Sequence, residues 1–211
     1  MPNKLTIVYR KAFQNKPELD SLLTKVSQAT HAKAISNLKN PKTATEKVKT
    51  KQEEDPKRNY TIEKVNDIAR ARLVYGSLNE MRNGIKVFGK DIKGTDMKIA
   101  KVDDYFAHPE DGYKGYHVDV SFPNGQHSEI QFHTVNSYAA TLVTHPLHEK
   151  ADHEEMTQED KQKNINANKQ IDKLNPNQAA AVAMMLEAKN APQSQLAQVA
   201  ALKQAAGGQQ Q

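Results

Sequence analysis

The chain has 211 residues, 37% of them hydrophobic, and its 30 Lys and Arg against 25 Asp and Glu give a formal net charge of +5. That length allows one domain with a real core plus extensions, and the low apolar fraction places part of the chain outside any core. The absence of cysteine excludes disulfides, thiolate-bound zinc and a thiol nucleophile, while so mild a positive charge suits phosphate-bearing partners without arguing for DNA.

In chain order, residues 4–9, "KLTIVY", read as a short strand. From Pro17 to about Ala34 the spacing of Leu19, Leu22, Leu23 and Val26 is helical. In "KNPKTATEKVKTKQ", Thr43 with Glu46 three residues on resembles a helix N-cap with its capping box. A further helix is expected from Thr61 to Ala69, then a β-branched strand in "RARLVYGS", a helix in "SLNEMRNGIKVFG" and a strand in "DMKIAKVDDYF". "YHVDVSF" and "HSEIQFHT" form a hairpin around "PNGQ". A two-residue Asn-Gly loop would set Val120 against Glu129 and mix the faces. A three-residue loop, Pro123-Asn124-Gly125, pairs Asp119 with Glu129, His117 with Gln131, Val118 with Ile130 and Tyr116 with Phe132. That register gathers His117, Asp119, Glu129, Gln131 and His133 on one polar face. After Thr134 a helix starts and is expected to break at Pro146; "MTQEDKQKNINANKQIDKL" reads as a charged helix. Residues 176–211, rich in Ala and Gln, read as a helical appendage and tail rather than core.

Asp67 and Glu129 come from separate elements with Arg70, Arg72 and lysines nearby. Such carboxylates suit a magnesium-phosphate site, and equally a local salt bridge and a solvated strand residue. Lys39, Thr43 and Lys47 recur every four residues. At a helix N-terminus they would grip a triphosphate; they also suit an ordinary basic helix surface. His145, His148 and His153 match no strong zinc spacing, and no nucleophile elbow supports Ser-His-Asp hydrolysis. Tyr113, between Gly112 and Gly115, is either a surface-turn residue or a platform for a flat ligand.

"LKNPKTATEKVKTK", "VNDIARARLVY", "DGYKGYHVDV" and "SEIQFHT" stand in the order and spacing of the RelA/SpoT-type synthetase domain, which the chain resembles over roughly residues 30–150. The resemblance implies an α/β (α+β) fold, with a mixed sheet flanked by helices, nucleotidyltransferase-like, and here a helical C-terminal extension. It divides the chain into a synthetase-like domain over 1–155, a charged helix over 156–175 and the appendage over 176–211. It implies transfer of pyrophosphate from ATP to the 3′-hydroxyl of a nucleotide or an RNA 3′ end. Asp67 and Glu129 would be catalytic and bind Mg²⁺, with Glu129 helping to deprotonate the attacking hydroxyl. Lys39, Thr43, Lys47, Arg70 and Arg72 would hold ATP, Tyr113 would stack on the acceptor base, and Lys114, His117 and Gln131 would line its pocket. Three departures stand out: Asn37 where the family has the Arg that stacks on the donor adenine, Asp111 for the Asn before Gly-Tyr, and His133 for the Arg after Glu-Ile-Gln.

With no hydrolase region recognised, the resemblance extends to toxic stand-alone synthetases and secreted effectors, with a neutralising immunity or antitoxin protein as a partner. No run of about 18 apolar residues occurs, so no membrane partner is expected. "MPNKLTIVYRKAF" lacks a signal-type apolar core. The expected site of action is the cytoplasm, with any export by a route that uses no signal peptide.

Overall fold

In the computed structural model, residues 3–151 and 156–189 are described. They form two compact units, one of the residues up to Asp103 with Tyr116–Phe132, the other of Asp104–Gly115 with the described residues from His133 on.

The first unit is a five-stranded mixed sheet with helices against it. Helix α1 (Lys4–Thr30) leads into strand β1 (Lys33–Leu38), helix α2 (Pro41–Glu54), β2 (Ala69–Tyr75), α3 (Leu78–Asp91), β3 (Lys98–Asp104), β4 (Tyr116–Ser121) and β5 (His127–Thr134). The strands lie in the order β1-β2-β5-β4-β3. The last residues of β3 and β5 pass into the second unit.

The two sheet faces differ in chemistry because strand side chains alternate. One face presents Ala71, Leu73 and Tyr75 of β2, Val118 and Val120 of β4, and Ile130 and Phe132 of β5, all buried. Leu19, Leu22, Leu23 and Val26 of α1, with Met81 and Phe88 of α3, complete that core. The Phe88 and Phe132 rings meet edge to face at 5.4 Å. The other face carries Arg70, Arg72, His117, Asp119, Glu129 and Gln131, which are only partly covered.

The hairpin has the register expected of it: Tyr116 faces Phe132, His117 faces Gln131, Val118 faces Ile130 and Asp119 faces Glu129. Phe122 N–H donates to the Gln126 carbonyl at 2.9 Å, closing a loop of Pro123, Asn124 and Gly125. Gly125 takes φ +77°, a left-handed conformation that glycine adopts without a Cβ penalty.

Several other expectations are corrected. Residues 4–9 are not a strand; they open α1, capped by the Asn3 side chain. Val8, Ala12, Asn15 and Leu19 are buried at helical spacing, and that longer period overrides the β-branched run "TIV". Pro17 lies within α1 on its exposed side. The helix ends at Thr30, where His31 turns left-handed at φ 55°, so residues 33–38 form β1 rather than helix. Thr43 is not the α2 cap. Asn40 is, accepting from Lys42 N–H, with Pro41 at the first helical position where a missing N–H costs nothing. Residues 61–68 form a 3₁₀ turn (Ile62–Lys64), a turn at Asn66 and Asp67 and a bend at Ile68, and Ala69 opens β2, so Asp67 sits in a turn before β2 and not on a helix.

The second unit contains the loop 104–115 and three helices, α4 (Val135–Ala151), α5 (Gln158–Ile171) and α6 (Pro176–Lys189). Helix α4 runs on through Pro146 instead of breaking there. Ala179, Val182 and Ala183 of α6 are buried, so residues 176–189 contribute to a core and do not stand outside one. The expected tail beyond them, and His153, lie outside the described residues.

Gly84 of α3 lies against the Tyr75 ring, and a Cβ there would stand 2.1 Å from the Tyr75 hydroxyl. Tyr75 is buried and cannot yield. Gly84→Ala is expected to destabilise the protein by about 2 kcal/mol through overpacking, read as a lower urea midpoint; an unchanged midpoint would contradict this contact.

Candidate active site

The candidate phosphate cradle is assembled where β1, α2 and the turn before β2 meet. Lys39 follows β1, and its N–H donates to the Ile68 carbonyl at 2.8 Å. Tyr9 of α1 donates its hydroxyl to the Lys39 carbonyl at 2.6 Å. With its backbone held on both sides, Lys39 sends its ammonium inward to donate to Asp67 Oδ2 at 3.0 Å, both residues being buried. Lys47 of α2 brings its Nζ to 3.0 Å from Asp67 Oδ1. Both carboxyl oxygens of Asp67 therefore face an ammonium, Oδ2 that of Lys39 and Oδ1 that of Lys47. Thr43 is half-buried in the first turn of α2, four residues before Lys47 and so on the same helical face.

The electrostatics follow from that packing. Burial pushes the Asp67 carboxyl up, but the Lys47 and Lys39 ammoniums outweigh it and hold the group below its ordinary value. Burial pushes Lys47 down, and Asp67, with help from Tyr60 and Glu129, more than reverses it. The Tyr9 phenol is pushed up to about 12, by burial first and then by Asp67, against a smaller opposing effect of Arg70.

A second chain of contacts crosses the polar face. His117 Nδ1 lies 3.3 Å from Glu129 Oε2. Gln131 donates its amide nitrogen to Glu129 Oε1, and Arg72 Nε donates to Gln131 Oε1 at 2.8 Å. The amide has only one sense that serves both neighbours, oxygen toward the guanidinium and nitrogen toward the carboxylate. Burial pushes the Glu129 carboxyl up, but His117 and Gln131 outweigh it, while the charge of Asp67 opposes them. The net direction is downward, so Glu129 is ionised at neutral pH. The charge of Asp67 acts on Glu129, and Lys47 responds to both carboxylates. Arg70 Nε donates to Asn37 Oδ1 at 3.0 Å across the β1–β2 pair, where the two residues are directly opposed.

Among the described residues no three or more His, Cys, Asp or Glu converge to form a metal cage. The oxygen donors available are the carboxylates of Asp67 and Glu129, both held below their ordinary pKa and so ionised at neutral pH. That set fits a hard divalent cation that takes its other oxygens from phosphate and water.

Tyr113 and Lys114 lie in the second unit. Tyr113 N–H donates to the Glu110 carbonyl at 2.8 Å, closing a turn in which Asp111 and Gly112 take φ 47° and 83°. Asp and Asn both tolerate the left-handed region, so Asp111 in place of Asn keeps the turn. A Cβ on Gly112 would stand 3.1 Å from Ile165 Cα of α5. The Tyr113 ring meets Tyr105 at 5.3 Å and His133 at 6.2 Å, both edge to face. Lys114 is ion-paired with Asp172 just beyond α5. His133 is buried with Nδ1 3.1 Å from the Ser137 hydroxyl, so it packs inside where an exposed arginine head could not.

The sequence reading missed Tyr9, whose only local signal was a β-branched neighbourhood, and the Asn40 cap, whose signal was the Asn-Pro pair itself.

No family model matches the sequence, and no curated protein does. Solved structures do match. The small alarmone synthetase 1 from Bacillus subtilis is 21% identical, with a TM-score of 0.59 over 86% of this chain and 95% of that one. The chain has the small alarmone synthetase fold. The same Bacillus protein bound to its product pppGpp aligns at 19% identity and TM-score 0.56, over 85% of this chain and 95% of that one. A GTP pyrophosphokinase family protein from Streptococcus pneumoniae aligns at 20% and 0.58, over 86% and 92%. Among the described residues no helix is long and apolar enough to cross a membrane.

Because the folded Asp67 pKa lies below its ordinary 3.8, its contribution to stability is complete above that value and is lost as pH falls through the lowered one. Asp67→Asn is expected to cost about 3 kcal/mol at pH 7, since it leaves two inward ammoniums without their counter-ion. Its stability should then decline less steeply than that of the parent below about pH 4, as followed by urea unfolding across the pH range.

Proposed function

We propose that the chain is a Mg²⁺-dependent pyrophosphotransferase that moves the β,γ-pyrophosphoryl group of ATP onto the 3′-hydroxyl of a nucleotide. One observation carries the reading: the Asp67 carboxylate is flanked by the ammoniums of Lys39 and Lys47, and on the polar face of the same sheet Glu129 is held by His117 and Gln131. The fold shared with small alarmone synthetases supports it.

In this reading Lys39, Lys47 and the first turn of α2 at Thr43 bind the triphosphate, and Arg70 and Arg72 neutralise further charge. Asp67 and Glu129 would hold Mg²⁺, which when bound would offset charge that builds on the phosphate oxygens. The acceptor hydroxyl attacks the β-phosphorus in line. An oxygen–phosphorus bond forms there, the bond from that phosphorus to the α,β-bridging oxygen breaks, and AMP leaves with the electron pair. Glu129 takes the hydroxyl proton. His117 and Gln131 hold the Glu129 carboxylate so that an oxygen faces the acceptor. Tyr113 offers its ring to the acceptor base; such stacking contributes ~1–3 kcal/mol. The acceptor class is a purine nucleotide or an RNA 3′ end. Transfer would drain ATP and acceptor together, so the same reading makes the chain growth-inhibiting in a bacterium that overexpresses it.

The test is incubation with β-labelled ATP, Mg²⁺ and a panel of guanine nucleotides, adenine nucleotides and short RNAs. Label should pass to one acceptor class with one AMP per transfer. Glu129→Gln should lower the rate by at least ~10²-fold, the scale of general-base catalysis, and should relieve any growth arrest. Binding of ATP by calorimetry with no AMP formed under any condition would leave a nucleotide-binding module in place of an enzyme.

A further inference from the structure

Asp67 has a weakness in its support. It lies in a turn, before the β2 ladder begins at Ala69, and its own side chain is held by Lys39 and Lys47. When those lysines engage a triphosphate, as the proposed reaction requires, these two restraints weaken together. The backbone bond from Lys39 N–H to the Ile68 carbonyl remains. One side-chain contact from the neighbouring residue also remains: Asn66 Nδ2 donates to Asp119 Oδ2 at 3.2 Å.

Asp119 is well placed for this. It stands on β4 directly opposite Glu129 on β5. Its other oxygen, Oδ1, lies 3.0 Å from Nδ1 of His127, which is diagonal to it across the hairpin. The carboxylate is therefore oriented by the same two strands that carry His117, Glu129 and Gln131. Through Asn66 it links the position of the Asp67 turn to the position of Glu129.

We infer that Asp119 is a positioning residue. By accepting from Asn66 it keeps the Asp67 turn in register with the Glu129 strand while the lysines are occupied with phosphate. The role rests on the proposed transfer reaction, but the strut itself is independent of it.

The two claims separate in one set of variants: Asn66→Ala, Asp119→Ala, Asp119→Asn and the double Asn66→Ala/Asp119→Ala. Amide hydrogen exchange across residues 65–68, without nucleotide, reads the strut alone. Both single Ala variants should accelerate it about tenfold, the loss of one hydrogen bond to a charged group, and the double variant should be no faster than either. Asp119→Asn keeps an oxygen that Asn66 can reach and should stay near the parent. Equal exchange in all forms, or additive effects in the double variant, overturns the strut. Steady-state kinetics read the positioning. Each Ala variant should raise the half-saturating Mg²⁺ concentration several-fold and lower kcat, with the acceptor KM unchanged and Asp119→Asn largely restored. Accelerated exchange with unaltered Mg²⁺ dependence and kcat overturns the positioning role. Accelerated exchange in a parent protein that transfers no pyrophosphate overturns the reaction and leaves the strut standing.

Discussion

The site depends on one arrangement, a buried carboxylate between two lysines. Asp67, Lys39 and Lys47 together carry a net charge of +1 in a place largely cut off from water. Taking each ion out of water costs several kcal/mol, and apolar side chains of the same volume often serve stability as well or better. The cluster is therefore poorly explained as a device for folding. Its excess positive charge is what a phosphate group would complete, and lysines drawn to phosphate would leave the Asp67 carboxylate to a divalent cation. Glu129 is held ionised by His117 and Gln131, and in the proposed reaction it would be the acceptor for a proton.

The rest of the first unit serves this arrangement by dividing its labour between the two faces of one sheet. Leu73, Tyr75, Ile130 and Phe132 point into a core covered by α1 and α3, while Arg72, Glu129 and Gln131 alternate with them onto the opposite face. A packed core is poorly compressible, so polar residues one position along the same strands inherit its rigidity. Tyr9 extends this to Lys39: α1 is anchored by its own apolar stripe, and its hydroxyl fixes the carbonyl from which the lysine side chain departs.

The hairpin was legible because two constraints agree on it. The alternation of Val118, Val120, Ile130 and Phe132 admits only registers that keep these side chains on one face, and Gly125 supplies the left-handed residue of a three-residue loop. The grouping of His117, Glu129 and Gln131 followed from that register. Strand β1 was not legible, since it is an edge strand whose residues are exposed or half-buried and show no alternation. The first turns of α1 were misread for the opposite reason: "TIV" has strong local β-propensity, and only the long spacing from Val8 to Leu19 reveals the helix. The approach of Lys39 and Lys47 to Asp67 is tertiary, joining residues 28 and 20 positions apart, and no local pattern encodes it.

The departures from the synthetase pattern sort by what their surroundings tolerate. Asp111 replaces one residue suited to a left-handed turn by another, so the loop keeps its backbone and gains a charge. His133 is fully enclosed beside Ser137, a setting that suits an imidazole and not a long charged arginine head. Asn37 is different in kind. It removes a guanidinium from β1, yet it lies directly opposite Arg70 and accepts from that residue's Nε, which fixes the plane of the remaining guanidinium. A planar cation on the polar face is thus retained, donated by β2 and oriented by β1. Within the first unit, the ion pairs of Asp67 with Lys39 and Lys47 and the contacts of Glu129 with His117 and Gln131 are made without Asn37.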